Sequence, residues 1–133
     1  VRPAFCIRRF RADEWPAYRE LRLRALADAP DAFARTHAEE SARPAAEWAS
    51  RLAASAASPT ELAACAERDG RAVGLVYTRL DPAAPDTAHL YSMWVDPAAR
   101  GAGVGALLVG AVVDFARGHG ARTLLLQVTE GNA

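Results

Sequence analysis

The sequence predicts an α/β fold, an α+β mixed sheet with its elements in the order β-α-α-β-β-β-α-β. Three observations carry that prediction. Arg68-Asp69-Gly70 is a tight hairpin turn between two strand-like runs, Glu61 to Glu67 and Arg71 to Leu80. A strand from Ala88 to Val95 meets a glycine-rich turn and an apolar helix, Ala106 to Ala116. Thr123-Leu-Leu-Leu-Gln-Val128 follows as a fully buried strand parallel to the one before the helix. Finally, 133 residues suffice for one core and are too few for two, so residues 1–133 are expected to form a single domain.

The remaining elements follow in order. Phe5-Cys-Ile-Arg-Arg-Phe10 reads as a short opening strand. Asp13 is placed to cap a first helix with Trp15, Tyr18, Leu21, Leu23 and Leu26 on one broad apolar face. Pro16 sits in its first turn, where a missing N–H costs nothing, and Asp28-Ala-Pro30-Asp31 ends it. A loop with Phe33, His37 and the acidic pair Glu39-Glu40 leads to a second helix, about Pro44 to Ala54, with Trp48 and Leu52 facing inward. Pro82-Ala-Ala-Pro85-Asp86 is read as a loop before the next strand. Gly118 and Gly120 end the third helix, which is apolar nearly all round and therefore expected to be buried.

Composition excludes several function classes. Sixteen basic residues balance sixteen acidic ones, which gives no warrant for a nucleic-acid or membrane partner. Every basic residue is Arg; with no Lys, Schiff-base chemistry and a lysine base are excluded, and the Arg and Ala bias suits a GC-rich bacterial genome. Cys6 and Cys65 lack metal-ligand spacing, so no metal is expected, and both read as small buried residues of a reducing cytosol. No apolar run approaches the ~20 residues that span a bilayer, and no signal peptide is expected ahead of the domain. The expectation is a cytoplasmic protein.

The most informative stretch is His89-Leu-Tyr-Ser-Met-Trp-Val-Asp-Pro-Ala-Ala-Arg-Gly-Ala-Gly-Val-Gly105. It sets the free N–H groups of a helix N-terminus at the end of a strand, where they attract phosphate. Gly101, Gly103 and Gly105 remove side chains that would hold a phosphate off the backbone. Arg100 adds a multi-donor cation, or is a plain surface arginine. No Lys-Ser or Lys-Thr follows the last glycine, which removes the P-loop reading. Gly101-Ala-Gly-Val-Gly-Ala106 formally fits the dinucleotide pattern G-x-G-x-x-A. There, however, the first glycine follows its strand almost directly, whereas Asp96 to Arg100 intervene here.

Arg100-Gly-Ala102-Gly-Val104-Gly105 also matches R/Q-x-x-G-x-G, with Val95-Asp-Pro preceding it at the right distance. This resembles the acetyl-CoA signature of the GNAT superfamily of N-acetyltransferases, and the element order resembles the acyl-CoA N-acyltransferase (GNAT) fold over the whole chain. The resemblance implies transfer of an acetyl group from acetyl-CoA to a primary amine by direct attack in a ternary complex. The pyrophosphate would be held by Arg100, Gly101, Ala102, Gly103, Val104 and Gly105. Pantetheine would lie between splayed strands ending at Val95 and Val128, bonding to the backbone of Met93, Trp94 and Val95. Asn132, at the family's N-x-x-A position, would contact the cofactor beyond the last strand. Family members continue past Ala133 with a further helix and strands, which include a Tyr that protonates the thiolate; the chain stops before that segment.

His89 stands where histone-acetylating relatives carry a glutamate base, a departure from the family pattern. A period of two puts it on one strand face with Tyr91, Met93 and Val95. His89 is then either the general base, directly or through water, or a residue that only lines the cleft. Tyr91 is the next candidate for a polar contact. Three classes compete: an N-acetyltransferase, a nucleotide- or dinucleotide-binding enzyme in which Glu130 would mimic the ribose-binding acid, and a catalytically inactive CoA-binding domain. The expected acceptor is a small-molecule or amino-acid-like amine, since no dense acidic cluster suits a polycation. Glu39 and Glu40 read as solvated, with an amine-binding role left open, and a homodimer is also left open.

Overall fold

The computed structural model describes residues 5–30 and 35–126. Five strands form one sheet in chain order: β1 (Cys6–Arg9), β2 (Glu61–Arg68), β3 (Arg71–Asp81), β4 (Ala84–Val95) and β5 (Thr123–Leu126). The first four pair antiparallel, and β4 with β5 is parallel. The helices are α1 (Trp15–Asp28), α2 (His37–Ser41), α3 (Ala45–Ala57) and α4 (Val104–Gly118). This is the expected mixed sheet, with one added helix. Because β4 and β5 are the one parallel pair among the described strands, the doubly wound dinucleotide fold is ruled out.

Side-chain alternation along the strands builds two apolar layers. On one face Ala64 and Ala66 of β2, Val76 of β3 and Leu90 of β4 meet Val104, Leu108 and Val112 of α4. On the other, Ala63, Cys65, Leu75 and Trp94 meet Phe10, Leu21 and Ala25 near α1, and Leu52 of α3. Helix α4 comes close because β2 and β3 offer small residues under it. A Cβ on Gly74 would stand 3.2 Å from Leu108 Cδ1 and from the Trp94 carbonyl oxygen. Trp48 and Leu52 face inward as expected.

Several local expectations are corrected. Helix α2 replaces part of a presumed loop, and its signal is Thr36-His-Ala-Glu39: Thr36 Oγ1 accepts from the Glu39 N–H at 3.1 Å, while Glu39 reaches back to the Thr36 N–H at 3.2 Å. Asp13 caps nothing; Glu14 instead accepts from the Arg11 N–H at 2.8 Å and opens a single 3₁₀ turn, Ala12–Glu14. The presumed loop at 82–86 is a two-residue turn, and Pro85 already belongs to β4. Pro85 is tolerated because it falls in the irregularity between the pairs Asp81↔Ala84 and Leu80↔Ala88.

Burial differs too. Strand β5 lies at the sheet edge among the described residues, so Leu125 and Leu126 are exposed where full burial was expected. Leu107 of α4 is also exposed, because only the stripe Val104, Leu108, Val112 and Ala116 faces the sheet. Cys65 is buried, but Cys6 is exposed on the first strand.

The consequential irregularity is in β4. Tyr77 pairs with Ser92 and Thr78 with Leu90, so Tyr91 is an extra residue, a β-bulge. Beyond it the period of two changes phase. Leu90 packs under α4, yet Trp94, four residues on, faces α1. His89 and Tyr91 therefore share the α1 face, while Met93 and Val95 point to the α4 side. The expectation that all four share a face fails at the bulge.

Candidate functional site

The site begins where β4 ends. The Asp96 N–H donates to the Val73 carbonyl at 2.8 Å, holding the strand end against β3. The Asp96 side chain accepts from the Ala98 N–H at 2.9 Å and from Arg24 of α1, and so shapes the 3₁₀ turn Pro97–Ala99. Its carboxyl is held below the usual range, first by that Ala98 N–H and then by the Arg24 guanidinium. Ala99 is buried and anchors the turn in the core. The Val95-Asp-Pro sequence thus folds the chain back toward α4.

Arg100 stands at the head of the glycine turn with two of its nitrogens committed within the protein. Its Nε donates to the Val95 carbonyl at 2.9 Å, and Nη2 donates to Asp28 Oδ2 at 2.7 Å. The same Asp28 oxygen accepts from the Trp94 indole at 2.9 Å. The indole N–H and the guanidinium hold the Asp28 carboxyl below its ordinary range. Arg24, bonded to Asp96, also lies over the Trp94 ring. The end of α1 is therefore fastened to β4 and to the turn by Arg24, Asp28, Trp94, Asp96 and Arg100. Of these, Arg24, Asp28 and Asp96 were missed as site residues. Asp96 alone carried a signal, an Asx turn before Pro.

The turn itself leaves its backbone open. Gly101 and Gly103 adopt φ of 84° and 83°, which an L side chain enters only with strain. A Cβ on Gly101, Gly103 or Gly105 would meet nothing within 4 Å, so the space above the turn is clear. Helix α4 starts at Val104, and its first backbone bond runs from the Leu107 N–H to the Gly103 carbonyl at 3.2 Å. The N–H groups of Val104, Gly105 and Ala106 precede that bond and have no partner inside the helix. An open glycine backbone, orphan N–H donors and the positive helix end fit a pyrophosphate, so the donor set suits acetyl-CoA.

Beside the turn, β5 pairs with β4 over Thr87–Leu90, so Tyr91 to Val95 run on without a described strand on that side. Met93 is exposed, Trp94 is buried, and Val95 packs on the α4 layer. Asn132, like Val128 and Glu130, lies outside the described residues.

His89 and Tyr91 stack, with ring centroids 5.6 Å apart and planes at 24°. Their face of the sheet also holds Tyr77, Arg79 and Asp81 of β3, none of them foreseen. Asp81 Oδ2 is 2.9 Å from His89 Nε2, and Arg79 lies 5.3 Å from the Tyr91 ring centroid. The Tyr77 hydroxyl donates to Glu61 at 2.8 Å; burial first, then that carboxylate, push its pKa up. The acidic pair near α2 is not solvated as a unit. Glu40 is 2% exposed and paired with Arg43, Arg22 and Arg51, so it serves packing among α1, α2 and α3.

Comparison with known proteins agrees with this geometry. The chain is 39% identical over 67 residues to an L-2,4-diaminobutyric acid acetyltransferase of Nocardia farcinica, covering 50% of this chain and 35% of that protein. It is 33% identical over 118 residues to a mycothiol acetyltransferase of Cellulomonas flavigena, covering 83% of this chain and 31% of the relative. The chain therefore spans about a third of the length of these curated relatives. A solved aminoglycoside N-acetyltransferase, AAC(6')-Iy in complex with CoA, superposes with a TM-score of 0.77 at 17% identity, over 99% of this chain and 82% of that one. That likeness is one of fold. The model of the acetyltransferase (GNAT) family matches residues 8–133, and on that match the chain belongs to the GNAT family of acetyltransferases.

Proposed function

We propose that the protein transfers the acetyl group of acetyl-CoA to a primary amine of a small, amino-acid-like acceptor. The observation that carries this reading is the open glycine backbone at the α4 N-terminus, set just past the end of β4. The N–H groups of Val104, Gly105 and Ala106 would hold the pyrophosphate, and Arg100 would brace the turn through Asp28. The backbone of Met93 to Val95 would align pantetheine, and an N–H there would polarise the thioester carbonyl. His89 would take the amine proton as the N–C bond forms and the C–S bond breaks. Tyr91, stacked on it, would line the acceptor side.

An acceptor with a carboxylate is favoured by Arg79, whose guanidinium lies over Tyr91 within the same cluster as His89. Glu40 is committed to arginines and is not available to bind an amine. The diaminobutyric acid and aminoglycoside acceptors in the relatives' names both present primary amines. The direct test is acetyl-CoA-dependent thiol release across amino acids, diamines, aminoglycosides and peptides. Turnover is expected with small amino acids that carry a side-chain amine. Release with none of these amines, under conditions where acetyl-CoA binds, would rule out the acetyl-transfer reading.

A further inference from the structure

Three restraints converge on His89. Its main-chain carbonyl accepts from Thr78 Oγ1 at 2.7 Å, and Thr78 is fully buried. Its ring plane is set by stacking on Tyr91. Its Nε2 lies 2.9 Å from Asp81 Oδ2. The Asp81 carboxylate is itself fixed, since Oδ1 accepts from the Ala83 N–H at 2.9 Å in the turn between β3 and β4. Asp81 lies two residues past Arg79, the register partner of His89, so strand alternation puts its carboxylate on the face His89 occupies. A carboxylate only accepts hydrogen bonds, so Nε2 carries the hydrogen and Nδ1 is left as the basic nitrogen of the neutral ring. The charged or titratable groups on this face include Arg79, Tyr77, Tyr91, Glu61 of β2, which pairs with Arg79 and accepts from Tyr77, and Arg22 of α1, which donates to Ser92; the β5 neighbour in register is Leu125, which is uncharged.

We propose that Asp81 is a positioning residue that fixes the tautomer and plane of His89, so that Nδ1 accepts the proton of the acceptor amine. This rests on the reading of His89 as the base. The amine nitrogen bonds to the acetyl carbon, and its proton passes to Nδ1. The C–S bond breaks, the thiolate takes up a proton from water, and the imidazolium returns its own to water. The Asp81 carboxylate stabilises the imidazolium while it exists and does not itself take the proton.

The test combines kinetics with a readout independent of turnover. In 15N spectra of histidine-labelled protein, with His89 assigned by comparison with His89→Ala, the neutral ring is expected to carry its hydrogen on Nε2. A hydrogen on Nδ1 overturns the proposal. Asp81→Asn is expected to lower kcat roughly 10-fold or more while leaving KM for acetyl-CoA near the native value. Its pH–rate profile should differ from the native one, because the carboxylate that faces His89 is gone. Asp81→Glu, which keeps the charge, should recover part of the loss, and it serves as the kinetic arm should the Asn variant not fold. The double variant with His89→Ala should be no slower than His89→Ala alone. Native kcat and pH profile in Asp81→Asn, with His89→Ala impaired, would overturn the positioning role and leave the base intact. An additive loss in the double variant would likewise show that Asp81 acts elsewhere. A native rate in His89→Ala would remove both readings together.

Discussion

Asp28 takes two donors on one oxygen, the Trp94 indole and the Arg100 guanidinium, and this places the end of α1 beside the glycine turn. Side chains chosen for local chemistry are legible where their partners are close in sequence. Gly101, Gly103 and Gly105 could be read because a turn at a helix N-terminus is a local event. The pairs Asp28–Arg100 and Asp81–His89 could not, because strand register and helix docking create them. Cysteine gives a clean residue-scale prediction. Burial pushes the Cys65 thiol up to about 11, whereas Cys6 is exposed. Brief treatment of native protein with iodoacetamide is expected to alkylate Cys6 alone, with Cys65 labelled only after denaturation. Peptide mass spectrometry reads the outcome, and equal labelling of both thiols in the native state would contradict the packing of β2.

At the scale of elements, the opening strand is secured by one arginine. Arg8 bonds Glu14 at 2.6 and 2.7 Å and Glu67 at 2.7 Å, joining β1, the 3₁₀ turn and β2. The Arg8 guanidinium holds the Glu14 carboxyl at about 2, well below its ordinary value. A depressed carboxyl contributes stability above its unfolded value, and that contribution fades as pH falls toward about 2. Glu14→Gln should therefore lower stability near neutral pH by on the order of 1–2 kcal/mol, discounted for partial exposure, or a Tm drop of roughly 5 °C. The difference between variant and native melts should close as pH approaches 2. A difference independent of pH would assign the loss to packing instead. The β4 bulge shows the limit of periodicity at this scale. Tyr91-Ser92 contains no Gly or Pro to mark an extra residue, so the phase change after Leu90 has no sequence signature. The capping box Thr36–Glu39 did have one, and α2 could have been anticipated from it.

For the whole molecule, the order of the strands and of the three longer helices was legible because each apolar run buries one face in the core. Exposure was not, since Leu125 and Leu126 look identical in sequence whether a strand is central or at an edge. The central claim is that the open turn at α4 binds the pyrophosphate of acetyl-CoA. Gly103 is a poor place to test it, because its φ of 83° would strain any side chain with or without ligand. Gly105 lies inside the first turn of α4 with open space where a Cβ would go. Gly105→Asp should leave the unliganded protein as stable or slightly more so, because a carboxylate at a helix N-terminus is favourable. The same charge should repel the pyrophosphate. The decisive measurement is the thermal shift of native protein and Gly105→Asp with acetyl-CoA, CoA, NAD and ATP. Acetyl-CoA and CoA are expected to stabilise the native protein, by about 2.7 kcal/mol at a hundredfold excess over Kd, with little effect from NAD or ATP and a lost shift in Gly105→Asp. An equal acetyl-CoA shift in both proteins, or none in the native one, would contradict the claim.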